Sequence, residues 1–125
     1  MTTTTTTTTS TFELGRLADA IEARDATRQI ELYAPDATVT ISDRLSQPGT
    51  PRVIHGGEAI ATWIKDTCAR EMTHSVQSRV QDDGGAAFVV ACRYTDGTNV
   101  VCATVLELAG GLIAKQTVVQ AWDER

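Results

Sequence analysis

From Thr73 onward the sequence is all strand and turn, and this constrains the fold more than any other feature. Residues 73–82 alternate weakly between apolar and polar, and Asp82-Asp83-Gly84-Gly85 turns the chain. Residues 86–95 are apolar and rich in β-formers, and Asp96-Gly97 is a strong hairpin signal ahead of residues 98–108. Ala109-Gly110-Gly111 turns again into a last run, 112–122. Runs joined by turns this short pair as antiparallel strands. The two middle runs are apolar on both faces, notably at Val89, Val90, Val100, Val101, Val105 and Leu106. A sheet apolar on both sides needs a cover on each.

The first half supplies one cover. Leu14, Leu17, Ala18 and Ile21 recur at helical spacing, behind a capping-box pair, Ser10 and Glu13. Asp25 can cap a second, short helix with Ile30, Tyr33 and Ala34 inward, which Pro35 stops. Residues 37–43 then switch to period two, with Ala37, Val39 and Ile41 on one face. Residues 44–57 read as loop, holding Pro48, Gly49, Pro51, Gly56 and Gly57. A third helix carries Ile60, Trp63, Ile64, Thr67 and Cys68 on one face. The class is α+β, with helices first and an antiparallel sheet second. Helices can cover only one sheet face, so the outer face is expected to meet a second copy, making a homodimer.

Composition removes several partners. At 125 residues the chain has the length of one domain. The net charge is −5, and the nine arginines and two lysines are scattered with no basic cluster, which argues against nucleic acid. No apolar run reaches the ~18 residues needed to cross a bilayer, so no membrane partner is expected. The three cysteines, Cys68, Cys92 and Cys102, fit neither a disulfide framework nor a metal spacing, and read as reduced thiols of a cytoplasmic protein. Residues 1–11 are almost entirely threonine, with nothing to bury, and read as a disordered tail. The domain is expected over 12–124.

Local wording adds a resemblance. Leu32-Tyr33-Ala34-Pro35-Asp36-Ala37-Thr38-Val39, His55-Gly56-Gly57-Glu58-Ala59-Ile60, and Gly110-Gly111-Leu112-Ile113 followed by Gln120-Ala121-Trp122-Asp123 resemble the nuclear transport factor 2-like superfamily. The SnoaL-like subgroup is the nearest. The resemblance implies a cone-shaped domain, three N-terminal helices packed on a curved, mainly antiparallel sheet enclosing a cavity, and dimerisation through the sheet. It does not fix an activity, because the superfamily holds ketosteroid isomerases, polyketide cyclases, epoxide hydrolases, dehydratases and binding modules.

Two of those chemistries lack their residues here. The isomerase base, tyrosine and neutral acid would fall on Ile41, Leu17 and near Thr104. The epoxide hydrolase arginine is kept as Arg93, but Thr95 and Val118 stand where its carboxylates would be.

Other candidates remain. Asp43 shares the parity of Ile41; it is either an inward carboxylate suited to a general base or the first residue of a solvated loop. His74 shares a face with Val76 and Val80, and is either a proton shuttle or a structural histidine. Thr73-His74-Ser75-Val76 resembles the setting of a pocket histidine in SnoaL-like relatives. His55 reads as a loop residue. By resemblance Gln116, Val118 and Gln120 look into the cavity, where two amides can hold a carbonyl or hydroxyl. Trp63 and Tyr94 would supply aromatic walls.

The Asp96-Gly97 turn decides the rest. A two-residue loop pairs Cys92 with Val101 and turns Thr104 outward; a loop that includes Thr98 pairs Cys92 with Cys102 and turns Thr104 inward, as the resemblance favours. The expected function is a small-molecule pocket protein, an isomerase, cyclase or dehydratase moving protons on an apolar, oxygenated, polyketide-like ligand. Asp43 or His74 would be the base, and no metal or organic cofactor is implied. The alternatives are a non-catalytic ligand-binding dimer and a protein-interaction module of the same fold.

Overall fold

Helix α1, Leu14–Glu22, buries Leu14, Leu17 and Ala18, the stripe its spacing predicts, in a computed structural model that describes residues 11–124. Ser10 of the expected capping box, and all of the expected threonine tail except Thr11, lie outside the described residues. Glu13 stands at the N-cap without a side-chain cap bond. The first free N–H, that of Leu14, donates instead to Oε1 of Gln81, whose Nε2 donates to the Phe12 carbonyl. A glutamine from the sheet therefore does the capping, which tethers the helix start to strand β3 (Met72–Gln81).

Helix α2 is short, Ala26–Ile30, and Oδ1 of Asp25 caps it by accepting the Arg28 N–H at 3.1 Å. Tyr33 and Ala34, expected on this helix, belong to strand β1, Tyr33–Ser42. Their backbone is drawn into the sheet, where Tyr33 pairs with Ile113 and the Ile113 N–H donates to the Leu32 carbonyl. Pro35 sits at the register shift between Tyr33 and Thr38, where a missing N–H costs no ladder bond. The segment read as loop contains a strand, β2, Arg52–His55, paired antiparallel with β1. Four residues between Pro51 and Gly56 are too few to show a period in sequence. His55 is consequently a strand residue, its Nδ1 2.7 Å from Thr38 Oγ1.

Helix α3, Gly57–Ala69, buries Ile60 and Ile64 as expected. Strands β4 (Gly85–Tyr94), β5 (Asn99–Ala109) and β6 (Leu112–Trp122) follow β3 as a meander. The six strands run β2-β1-β6-β5-β4-β3, and β1 with β6 is the parallel pair. The helices lie on one face. One apolar cluster gathers Leu14, Leu17 and Ala18 of α1 with Phe88, Val100 and Leu106. A second joins Ile60 and Ile64 of α3 to Val39, Ile41 and Val118. Burying one such side chain stabilises the fold by about 2–3 kcal/mol. Among the described residues no helix is long and apolar enough to cross a membrane.

Two register details differ from the sequence reading. The β4–β5 loop is Thr95-Asp96-Gly97, closed by the Tyr94 N–H to the Thr98 carbonyl, so Cys92 faces Val100 and neither expected pairing occurs. The parity is that of the longer loop, and Thr104 is buried inward. In β3 a bulge between Gln77 and Val80, with Ser78 at φ 55°, throws Val80 outward, so it does not share the inner face of His74 and Val76.

Candidate active site

Between the helices and the concave face of the sheet lies a cavity of about 770 Å³. Leu17, Ile21, Ile41, Phe88, Val90 and Val100 make much of its wall apolar. Every side chain expected at the site reaches it. Gln116, Val118, Gln120 and Thr104 come from β5 and β6, His74 and Tyr94 from β3 and β4, Trp63 from α3, and Asp43 from just beyond β1.

The alternation of β6 explains the polar floor. Gln116, Val118 and Gln120 share one parity and turn inward, while Lys115, Thr117 and Val119 turn out. Gln116 is buried, and its Oε1 accepts the hydroxyl of Tyr33 at 2.5 Å. Gln120 Oε1 accepts Nε1 of Trp122 at 3.0 Å. Each amide oxygen is thus occupied by an aromatic donor, which fixes the amide orientation and leaves the NH₂ end as a donor. Burial holds the Tyr33 hydroxyl far above its ordinary value, so it stays protonated as the donor to Gln116.

His74 Nδ1 lies 3.1 Å from Cys92 Sγ. Burial first, and the charge of Arg24 second, lower its pKa below the ordinary 6.5. The imidazole is therefore neutral at pH 7 and able to accept a proton.

Asp43 takes the second of its two sequence alternatives. Strand β1 ends at Ser42, and Asp43 opens a turn in which its Oδ1 accepts the Leu45 N–H at 2.8 Å. It lines the mouth, with its carboxylate partly spent on that turn. The neighbouring Arg44 guanidinium stacks 4.0 Å over Trp122, which stacks in turn on Tyr94 at 5.8 Å. Tyr94 Oη accepts Arg70 Nη1 at 3.3 Å, and Arg70 Nη2 pairs with Asp66 at 2.8 Å. The mouth is framed by aromatic and guanidinium groups locked together.

Sequence reasoning missed Tyr33, Trp122, Arg44 and Arg70 as cavity residues. Trp122 has the parity of Gln116, Val118 and Gln120, a signal that was present. Tyr33 was hidden by its assignment to a helix. The three positions at which the isomerase groups are absent, Leu17, Ile41 and Thr104, do line this cavity, and none of the three is ionisable. Arg93 is exposed on the opposite face, which removes the last piece of the epoxide hydrolase arrangement.

The SnoaL-like domain profile matches residues 14–116. No curated protein matches in sequence. Among solved structures, a proposed ketosteroid isomerase from Kribbella flavida is similar with a TM-score of 0.72 and 20% identity, over 90% of this chain and 76% of that one. An NTF2-like protein of unknown function from Mesorhizobium loti gives a TM-score of 0.77 at 13% identity, over 86% and 87%. A proposed polyketide cyclase from Sinorhizobium meliloti gives 0.65 at 20% identity, over 84% and 91%. Likeness at these identities establishes a shared fold of three helices on a six-stranded sheet.

Proposed function

The chain belongs to the SnoaL-like domain family, and on that premise we propose that it is a cofactor-independent isomerase, cyclase or dehydratase acting beside a carbonyl on an apolar, polyketide-like substrate. The observation that carries the proposal is the locked orientation of Gln116 by Tyr33 inside an apolar cavity of about 770 Å³. An amide N–H held in place by an aromatic hydroxyl is a preorganised donor for a carbonyl oxygen, and it holds that oxygen more tightly as it becomes an enolate.

His74 is the base in this reading. Its Nδ1 is engaged at Cys92, so Nε2 is the nitrogen that takes the proton from the carbon next to the carbonyl and returns it elsewhere on the conjugated system. Gln116 and Gln120 hold the oxygen, Val118 and Thr104 form the floor between them, and Trp63 and Tyr94 bracket the apolar body. Asp43 at the mouth contributes to substrate entry and to the local field. The outer sheet face, with Val101, Val105 and Val119 about half exposed, is the surface on which a second copy would pack.

A second reading is a ligand-binding dimer without catalysis. It is favoured by the apolar Leu17 and Ile41 and the hydroxyl of Thr104 at positions where ketosteroid isomerases carry ionisable groups. Assay of β,γ-enones and hydroxyketones with wild type, His74→Ala and Asp43→Asn separates the two. The enzyme reading expects turnover that His74→Ala abolishes and Asp43→Asn largely keeps. Saturable binding of the same ketones with no turnover supports the second reading.

A further inference from the structure

All three cysteines of the chain line the one cavity, and two of them lie side by side on its wall. In the β4–β5 ladder Cys92 faces Val100 and Val90 faces Cys102, which makes Cys92 and Cys102 diagonal neighbours on the inner face. On the other side Cys102 is the direct cross-strand partner of Gln120. His74 Nδ1 approaches Cys92 Sγ from β3. The run His74, Cys92, Cys102, Gln120 therefore crosses four adjacent strands, from imidazole to thiol to thiol to amide. Cys92 is buried, whereas Cys102 is part-exposed to the cavity.

We propose that Cys102 is a nucleophilic capture site, forming a thioether with α,β-unsaturated carbonyl compounds that enter the cavity. Its two neighbours on the inner face, Cys92 on the diagonal and Gln120 directly opposite, both carry a group able to donate to sulfur. In this proposal the Cys92 S–H turns to Cys102; the nearby Cys92 thiol lowers the Cys102 pKa against the opposing effect of burial, and Gln120 adds to the lowering. The Cys102 thiol beside it, together with burial, pushes the Cys92 thiol up, so Cys92 stays protonated and able to donate. His74 fits this order when its Nδ1–H donates to Cys92 Sγ, leaving the Cys92 S–H free to turn to Cys102. In the structure the Cys92 S–H is directed at the Val90 carbonyl at 4.0 Å, a long contact that it can give up for Cys102. The third thiol is unlike the other two. Cys68 on α3 receives only Gln29 Nε2 at 3.3 Å, and burial raises its pKa.

The step balances without a further reactant. The Cys102 proton leaves to water, and the thiolate sulfur bonds to the β-carbon of the enone. The C=C pair moves onto the carbonyl as an enolate, held at its oxygen by the glutamine N–H groups. Water then returns one proton to the α-carbon, so thiol plus enone gives the thioether. Nothing is oxidised or reduced. The capture uses the cavity of the proposed enzyme but requires neither turnover nor a proton transfer by His74.

The test is treatment of the folded protein with cyclohex-2-enone, followed by intact mass and peptide mapping. The expected result is one added enone per chain, located at Cys102. Cys68→Ser leaves it unchanged, and Cys102→Ser removes it. Cys92→Ala slows it by about tenfold, the effect of losing one hydrogen bond to a charged sulfur. Mapping of unmutated protein gives the assignment even where a variant fails to fold. Modification of Cys68 or Cys92 ahead of Cys102 overturns the proposal. So does an absence of adduct under conditions that modify the thiols of the urea-unfolded chain.

Discussion

The Tyr33 hydroxyl donates to Gln116 Oε1 across 83 positions of sequence, joining the first strand to the last inside the cavity. Tyr33→Phe leaves that buried oxygen without its donor while keeping the ring. The expected cost is about 1–2 kcal/mol of stability, read from urea denaturation. Freed from Tyr33, the Gln116 amide can turn its oxygen to the ligand, so affinity for ketones should fall by more than affinity for matching alkanes.

The lowered pKa of His74 sets a direction for pH dependence. The unfolded histidine titrates near 6.5 and the folded one below it, so under acid conditions the unfolded chain binds the extra proton. This contribution is fully present above pH 6.5 and is lost as pH falls through the folded value. Thermal melts at pH 7.5 and 5.5 should show a drop in Tm for wild type that is smaller in His74→Gln. Activity that uses neutral His74 should rise with pH with a midpoint below 6.5.

Ser78 holds φ 55° at the β3 bulge. A left-handed conformation costs a non-glycine residue about 1–2 kcal/mol, partly offset in Ser78→Gly by the greater freedom of the unfolded glycine chain. Ser78→Gly is expected to stabilise the protein by about 0.5–1 kcal/mol in the same denaturation experiment. A loss of stability would mean the serine side chain contributes a contact that offsets its strain.

The elements were legible where packing follows local period. The stripe of α1 and the parity of β6 are examples, because alternation places Gln116, Val118 and Gln120 on one face whatever their partners. Legibility failed where long-range pairing overrides local signal. Tyr33 follows a helix but is pulled into β1 by Ile113, and β2 is four residues that acquire meaning only beside β1. The bulge at Ser78 turned Val80 outward, and no residue type there announces it. Asp43 stands one position past the end of β1, so the turn engages its carboxylate while the residue still lines the cavity. The thiol pair was legible in parity only: the longer loop placed Cys92 and Cys102 on one face, and the loop Thr95-Asp96-Gly97 makes them diagonal neighbours rather than direct partners.

The exposed valines of the outer face lead to a separate expectation. Val105 is 54% exposed on the outer face of β5, on an apolar patch with Val101 and Val119. If a second copy covers it, Val105→Lys places a charge in that interface without touching the cavity. Light scattering should then report a dimer for wild type and a monomer for the variant, with ketone binding retained. A wild-type monomer at micromolar concentration would remove the outer face as a self-association surface.

Proton exchange next to a carbonyl is the most direct test of the central claim. The protein is incubated with a β,γ-unsaturated ketone in D₂O, and deuterium at the α-carbon is followed by NMR. The account predicts incorporation well above the buffer rate, lost in His74→Ala and reduced in a Gln116→Ala variant. Exchange at the buffer rate in the presence of saturating wild-type protein would contradict it, and the cavity would then stand as a binding site alone.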